Sequence, residues 1–297
     1  MDLCIGSGPI HIARVAGRVL ASDVVFCWFA SVYAAVATLV AALLRKKSVI
    51  VVGGADMAGD KEFNYGLWNS AWKSMLVRSA IRRADRVLVV DESLRKEVRA
   101  RVGHDGGNLE VLPTGHDHTF WQPAGSKEPS VLTVAAVNDA GRFKIKGIDI
   151  LFDVARKLPD VRFTLIGPDA ARFRELVVPA NLTILPPMDR ASLLPFYQRS
   201  MVYCQPSRRE GLSNTLCEAM LCGCIPVATD VGGSALAIGE TGIVVPPGDH
   251  AALVDAIKRA LALPKDNGTK GRERIISLFP QHRREERLRS VIAEMCR

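Results

Sequence analysis

Residues 209–233 read "REGLSNTLCEAMLCGCIPVATDVGG" and hold the most informative pattern in the chain. Just before them, "MVYCQP" (Met201–Pro206) has the composition of a buried strand, and "NTLCEAMLC" has that of a helix. Ser213 is a suitable N-cap for this helix, and Gly223 followed by Pro226 is a suitable stop. A strand, a short loop and a helix in this order predict part of a parallel α/β sheet.

The same stretch predicts an anion-binding helix N-terminus with a carboxylate on either side. The N–H groups of residues 212–215 have no partner inside the helix and lie at the positive end of its dipole, which favours a phosphate oxygen. Glu210 precedes the helix and Glu218 lies inside it. An ionised carboxylate only accepts hydrogen bonds, so the hydroxyls of a sugar and a ribose are suitable ligands. Spacing alone leaves open that Glu218 is a surface helix residue and that Glu210 pairs with Arg208 or Arg209.

The composition favours two globular domains and an anionic partner. The chain has 297 residues, of which 48% are hydrophobic, and a net charge of +8. Such a charge favours binding to a phosphorylated small molecule, a lipid surface or nucleic acid. Alternatively, the basic residues only keep the surface hydrated. No basic motif with interleaved aromatic residues is present, which argues against nucleic acid. The seven cysteines lie mostly in apolar surroundings without zinc-finger spacing, which favours a reducing compartment and no metal site.

One uncharged segment, Val24–Leu44, admits two interpretations. Its 21 residues are enough to span a bilayer, and a basic Arg-Lys-Lys run follows it. Alternatively, "VVFCWF" is a strand, Ser31 caps a helix, and "VYAAVATLVAALL" is that helix. We favour the strand followed by a helix.

Apolar strand-like runs alternate with helical patterns along the whole chain, which predicts parallel sheets covered by helices. The Pro-, Gly- and Ser-rich segment Trp121–Ser130 predicts a linker. We therefore expect domains at residues 1–123 and 124–279, with a last helix in 280–297 that crosses back to the first domain. In such sheets ligands bind at the carboxyl ends of the strands. The predicted strands are Leu3–Ile5, Val24–Phe29, Ser48–Val52, Arg86–Val90, Leu109–Leu112, Ser130–Val137, Val161–Gly167, Leu182–Pro186, Met201–Pro206, Cys224–Thr229 and Gly242–Pro247; the predicted helices include Trp68–Ala84, Ser93–Val102, Ile148–Lys157, Arg190–Arg199, His250–Leu263 and Gln281–Met295.

At this point the residues resemble a known family. "PSRREGLSNTLCEAMLCGCIPVATDVGG" and "TGIVVPPGD" closely resemble the signature of the glycosyl transferase group 1 proteins, family four of the glycosyltransferases. Their motif of two glutamates separated by seven residues is matched by Glu210 and Glu218, and their Gly-Gly turn by Gly232 and Gly233. "KGIDILFDVARKLPDVRFTLIGP" and "LEVLPTGHDHTFWQP" resemble further parts of that family. The resemblance implies a GT-B fold, with two Rossmann-like doubly wound α/β domains facing a central cleft.

The resemblance also implies roles for individual residues. Glu210 would contact the donor sugar, and Glu218 the ribose. Lys146 would neutralise the phosphates of the leaving group. Asn138 stands where the family has an arginine, so we expect Arg142 to substitute for it. The catalytic residues implied are Glu210, Lys146 and Arg142, and the donor-binding residues implied are Glu218, Gly211, Leu212, Ser213, Asn214, Thr215, Asn138, Gly167, Met188 and Asp56.

The first domain departs from the family pattern. It is short, and its glycine-rich loop would have to be Gly6-Ser7-Gly8. Where the family often has a histidine, this chain reads "GGADMAG". Asp56 in that loop is a candidate for binding a sugar hydroxyl, but a role in the turn between Gly54 and Gly59 is an equal alternative.

The implied function is that of a retaining, metal-independent, hexosyltransferase-like enzyme. It would move a sugar from a nucleotide sugar to a glycan or lipid-linked acceptor, without a cofactor; no Asp-x-Asp triplet for a divalent ion is present. We expect a cytoplasmic protein, and basic residues at 78–86 and in the last helix (Arg283, Arg284, Arg287, Arg289) suggest contact with an anionic membrane. The alternatives are a catalytically inactive nucleotide-sugar-binding protein with a degenerate acceptor domain and a protein with a single membrane span.

Overall fold

The computed structural model describes residues 9–103, 107–168, 177–264 and 266–296. The chain forms two compact units: unit 1 comprises Met1–Pro113 and His282–Arg297, and unit 2 comprises Thr114–Gln281. The division therefore comes earlier in the chain than the predicted boundary after residue 123. Trp121 is buried in unit 2, where its ring packs edge-on against Tyr197 with centroids 5.4 Å apart.

Unit 1 contains a four-stranded parallel sheet in the order β1-β2-β3-β4, so each strand pairs with its predecessor. A helix connects each strand to the next, as parallel pairing requires. The elements are α1 (Pro9–Leu20), β1 (Val24–Trp28), α2 (Val32–Leu43), β2 (Lys47–Val52), α3 (Ala71–Arg83), β3 (Arg86–Val89), α4 (Glu92–Val102) and β4 (Leu109–Val111). The last helix of the chain, Gln281–Met295, contributes all but its first residue to this unit.

The uncharged segment Val24–Leu44 is a strand followed by a helix. The β-branched and aromatic residues at the start of the segment form β1. Ser31 then caps α2 by accepting the N–H of Ala34 at 3.2 Å. Buried Ala37 and Ala41 pack against Val19 and Val25. Within the described residues, no helix is both long and apolar enough to cross a bilayer.

Unit 2 contains a six-stranded sheet in the order β10-β9-β8-β5-β6-β7, with all pairs parallel. Its core joins the central strands to helices α6 and α10 through buried aliphatic side chains. The elements are β5 (Glu128–Val137), α5 (Ala140–Ile145), α6 (Ile148–Lys157), β6 (Arg162–Pro168), β7 (Leu182–Leu185), α7 (Arg190–Arg199), β8 (Ser200–Gln205), α8 (Asn214–Leu221), β9 (Ile225–Thr229), α9 (Ser234–Ile238), β10 (Ile243–Val245), α10 (His250–Ala262) and α11 (Asp266–Leu278); the last helix is α12.

The predicted elements recur with shifts of a few residues at most of their ends. The helix predicted at Trp68–Ala84 begins at Ala71, because Ser70 has extended backbone and a short 3₁₀ turn precedes it. Helix α11 was not predicted, since Gly268 and Gly271 disfavour a helix. A Cβ on Gly268 would lie 2.3 Å from the Gly223 oxygen, so the glycine allows α11 to pack close to the end of α8. The predicted strand Leu3–Ile5 and loop Gly6–Gly8 lie outside the described residues.

Candidate functional site

Three loops meet at the carboxyl ends of the neighbouring strands β5, β8 and β9 in unit 2. Gly147 has a φ of +66°, and a Cβ there would lie 1.9 Å from the Pro206 oxygen. Gly232 has a φ of +56°, and its Cβ would lie 2.3 Å from the Gly211 oxygen. The Gly233 N–H donates to the same Gly211 oxygen at 2.9 Å. These approaches are open only to glycine, so the glycines hold the loop after β8 between its two neighbours.

An ion pair joins two of these loops. Lys146 Nζ lies 2.7 Å from Glu210 Oε1, and the Ser207 hydroxyl donates to the same oxygen at 2.7 Å. The Glu210 side chain is only 10% exposed, and that of Lys146 is 28% exposed. Arg208 pairs instead with Asp149, at 2.8 Å. Glu210 therefore has Lys146 as an ion-pair partner, a pairing that the sequence alone did not indicate.

Helix α8 begins beside this ion pair. Ser213 is its N-cap and accepts the Leu216 N–H at 3.4 Å, while Gly223, with a φ of +78°, follows its C-terminal end. The first N–H groups of an α-helix have no partner within it. Residues 211–215, at the start of α8, therefore offer backbone donors in the same loop that carries Glu210, the partner of the Lys146 cation, and this combination suits a phosphate.

Glu218 is partly buried and accepts a hydrogen bond from a tyrosine. The Tyr197 hydroxyl donates to Glu218 Oε2 at 3.2 Å. Burial raises the pKa of Glu218 to about 7, while the Tyr197 hydrogen bond and the positive charge of Arg190 oppose this rise. Glu218 is therefore not an exposed residue on a helix surface. With this pKa, a protonated form that can donate a hydrogen bond and an ionised form that only accepts are both populated near neutral pH.

A second tyrosine supports the start of α8. Tyr203 on β8 donates to Thr215 Oγ1 at 2.7 Å, and Thr215 Oγ1 lies 3.2 Å from the Ser213 hydroxyl. Burial raises the pKa of both Tyr197 and Tyr203, so both phenols stay protonated and act as donors. Sequence reasoning missed these two tyrosines. The available signal was a tyrosine inside a buried element, whose hydroxyl needs a partner.

The remaining residues predicted in unit 2 lie along the same edge of its sheet, near the ends of β5, β6 and β7. Asn138 is exposed just after β5, and Arg142 one turn later lies 3.7 Å from Asp139. Gly167, near the end of β6, has a φ of +119°, and a Cβ there would lie 2.3 Å from the Ala135 oxygen. Met188 is partly buried in the segment between β7 and α7. The Lys146 N–H donates to the Arg142 oxygen at 2.8 Å, but within the described residues no side-chain hydrogen bond or ion pair joins these four residues to the Lys146–Glu210 pair.

Asp56 lies in unit 1 and is buried. Its carboxylate accepts the N–H groups of Ala30 at 3.1 Å, Gly53 at 3.3 Å and Gly54 at 2.8 Å. Desolvation raises its pKa, and these hydrogen bonds oppose that rise. Asp56 thus orders the loops at the ends of β1 and β2. These contacts correspond to the turn role, and they give no support to the binding of a sugar hydroxyl.

Comparison with known proteins agrees with this architecture. The family model described as Glycosyl transferases group 1 matches residues 128–262, and the model described as Glycosyltransferase Family 4 matches residues 8–120. D-inositol 3-phosphate glycosyltransferase from Mycobacterium sp. (strain KMS) is 31% identical over 206 residues, covering 61% of this chain and 46% of that protein. The chain spans roughly half the length of the curated relatives it matches.

Two solved structures show the fold. Sucrose-phosphate synthase from Thermosynechococcus elongatus superposes with a TM-score of 0.80 at 19% identity, over 96% of this chain and 78% of that one. The Anabaena protein HepE in complex with UDP-glucose superposes with a TM-score of 0.78 at 14% identity, over 96% of this chain and 82% of that one. The chain thus belongs to the group 1 glycosyl transferases of glycosyltransferase family 4, and its two parallel-sheet units are those of the GT-B fold.

Proposed function

We propose that this protein is a retaining glycosyltransferase that transfers a hexosyl group from a nucleotide sugar. The observation that carries the proposal is the Lys146–Glu210 ion pair beside the N-terminus of α8. A cation, a carboxylate and a row of backbone donors are the groups that a sugar diphosphate requires.

The donor is held in unit 2 by groups with separate tasks. The N–H groups at the start of α8 bind the diphosphate, Glu218 accepts the ribose hydroxyls, and Glu210 accepts hydroxyls of the sugar. A hydrogen bond to a charged group contributes about 1.5–3 kcal/mol, so each carboxylate is sufficient to fix the orientation of one ring. The complex of Anabaena HepE with UDP-glucose, which shares the fold, supports a nucleotide sugar as the donor.

Lys146 acts on the leaving group. Negative charge develops on the diphosphate as the bond to the sugar breaks, and a fixed cation stabilises that charge where it appears. Before the donor binds, Lys146 is paired with Glu210. A diphosphate replaces that partner and frees Glu210 for the sugar. This exchange needs no divalent ion, and we expect the reaction to proceed without one.

The acceptor is a glycan or a lipid-linked molecule, and an anionic membrane surface is a further partner. Support for the membrane comes from α3, which carries no acidic residue and exposes Trp72 and Met75 beside Arg78, Arg82 and Arg83. The last helix supports it less, because Arg284 donates to the Leu112 and Pro113 oxygens and Arg287 pairs with Glu110 and Glu294.

A two-stage assay tests the proposal. Thermal unfolding is followed with UDP-glucose, UDP-N-acetylglucosamine and GDP-mannose, and donor hydrolysis or transfer is then measured with the nucleotide sugar that stabilises the protein most. We expect stabilisation and turnover. Stabilisation without turnover would instead support the catalytically inactive nucleotide-sugar-binding protein, and the absence of both would refute the donor site.

A further inference from the structure

Two adjacent aromatic side chains lie exposed where β1 ends in unit 1. Trp28 is 55% exposed and Phe29 is 47% exposed. They stand at the carboxyl end of a parallel sheet, the edge where ligands bind in open α/β sheets. Neither residue has a role in the donor site of unit 2.

The two rings form a notch with perpendicular walls. Their planes meet at 84° with centroids 6.4 Å apart, and the centroid of the Phe26 ring lies 5.8 Å from that of Trp28. A flat ligand that stacks on one ring therefore meets the second ring with its rim.

Phe29 holds its place against a backbone cost. Its φ is +85°, a left-handed conformation that a bulky residue rarely adopts. Its N–H donates to the Val51 oxygen at 3.0 Å, so the position is fixed by the sheet. The ring covers Gly53, where a Cβ would lie 2.6 Å from Phe29 Cε1. Strain of this kind is concentrated at ligand sites, where surrounding contacts maintain it.

The notch is rigid because its supports are buried. Ala30, the next residue, donates its N–H to the buried Asp56 carboxylate. Arg284 of α12 lies 5.5 Å from the Trp28 ring, and its guanidinium is anchored on the Leu112 and Pro113 oxygens. A surface ordered before the ligand arrives loses less entropy on binding.

We propose that Trp28 and Phe29 bind a pyranose ring of the acceptor. A pyranose has a flat face of C–H groups that stacks on an aromatic ring, and its hydroxyls lie at the rim and stay in water. Two perpendicular rings match such a rigid disc, whereas a flexible acyl chain has no face of this shape. The proposal rests on the glycosyltransferase function proposed above and adds the class of the acceptor and the residues that hold it.

Saturation-transfer-difference NMR tests the site with defined probes. Methyl α-D-glucopyranoside, methyl α-D-mannopyranoside and methyl β-D-galactopyranoside are offered to the wild-type protein, to Trp28→Ala and to Trp72→Ala. Trp72 is the matched control, because it is also 55% exposed and belongs to the same unit. We expect a signal from at least one pyranoside, lost at least threefold in Trp28→Ala and unchanged in Trp72→Ala. No signal with the wild-type protein, or equal signals in both variants, would overturn the proposal.

Variants at Phe29 separate the ring from the backbone strain. Phe29→Gly and Phe29→Ala both remove the ring, so both should lose the pyranoside signal. Glycine relieves the positive φ and alanine does not, so Phe29→Gly should unfold about 2–4 °C above Phe29→Ala. Gly53→Ala keeps both rings but displaces Phe29, and the signal should fall here too. A full signal in all three variants would overturn the proposal.

Two controls separate this site from its alternatives. UDP-glucose should stabilise Trp28→Ala as much as the wild-type protein, so that a failure of the donor site is seen independently of the notch. The same fraction of the wild-type protein and of Trp28→Ala should sediment with vesicles of phosphatidylcholine and phosphatidylglycerol. If Trp28→Ala loses vesicle binding and keeps the pyranoside signal, the notch contacts lipid and the proposal is wrong.

Discussion

Both units have a parallel sheet, but the side chains at the carboxyl ends of the strands differ between them. In unit 2 this edge carries the Lys146–Glu210 ion pair and the partly buried Glu218. In unit 1 it carries the exposed rings of Trp28 and Phe29, while the acid nearby, Asp56, is buried and bound to backbone N–H groups.

This contrast separates what the fold supplies from what the loops supply. A parallel sheet brings the ends of its strands together at one edge, but the residues that follow each strand decide which ligand is bound. Charged groups and a helix N-terminus favour a diphosphate. Two exposed aromatic rings at a right angle favour the neutral face of a sugar. We infer that donor and acceptor are recognised by different physical interactions in the two units.

The largest expected effect comes from removing the cation in unit 2. Lys146→Ala should lower kcat with UDP-glucose by about 10²–10³-fold, because a fixed charge no longer stabilises the leaving diphosphate. Lys144→Ala is the matched control, since Lys144 is exposed and pairs with Asp149 at 3.0 Å. Equal rates for the two variants would remove Lys146 from the mechanism.

The glycine contacts of unit 2 give the next largest effect. A Cβ at Gly232 adds a clash with the Gly211 oxygen to the strain of a positive φ, so Gly232→Ala should lower the free energy of unfolding by about 2–4 kcal/mol. Gly248 also has a positive φ, of +82°, but no atom lies within 4 Å of a Cβ built there. Gly248→Ala should therefore lower the free energy of unfolding less, through backbone strain alone. Urea denaturation of both variants measures the difference, and a thermal shift with UDP-glucose shows whether the Glu210 loop has moved. Similar stabilities would mean that the clash is relieved elsewhere.

Glu218 gives a pH-dependent effect. Its pKa of about 7 in the folded protein lies above its ordinary value of 4.5, so the folded state binds the proton more tightly. The stability from this proton is fully present below pH 4.5 and is lost as the pH rises through 7. Between pH 5 and 8 the wild-type protein should therefore lose up to about 3 kcal/mol relative to Glu218→Gln. Denaturation at several pH values measures this, with the exposed Glu240→Gln as control; a constant difference between wild type and Glu218→Gln would contradict the shifted pKa.

The smallest expected effect is that of chelation. If Lys146 and the N–H groups of α8 neutralise the diphosphate, EDTA should leave the turnover of UDP-glucose unchanged within error. A loss of activity that Mg²⁺ or Mn²⁺ restores would show that a divalent ion has this task.

The part of the fold that is determined locally was predictable from the sequence. Helix α8, its cap at Ser213 and its stop at Gly223 follow from residue preferences over a few positions. The division of Val24–Leu44 into a strand and a helix follows in the same way from β-branched residues and Ser31. Glu210 and Glu218 were selected by motif, and the structure places both beside the start of α8 or within it.

The contacts that depend on packing were not predictable. Lys146 and Glu210 pair across 64 residues of sequence, and the tyrosine partners of α8 come from α7 and β8. The sequence left two roles open for Asp56, because its burial depends on how the ends of β1 and β2 meet. The positive φ of Phe29 has no signal in its residue type, since phenylalanine disfavours that conformation.

Binding of UDP and UDP-glucose to the wild-type protein, Glu218→Ala and Glu210→Ala tests the central claim most directly. Calorimetric titration should show that Glu218→Ala weakens both ligands by about 10- to 100-fold, because each loses its ribose contact. Glu210→Ala should weaken UDP-glucose without weakening UDP, because UDP has no sugar for Glu210 to bind and no longer has to displace Glu210 from Lys146. If both variants bind both ligands like the wild-type protein, the two carboxylates do not hold a nucleotide sugar.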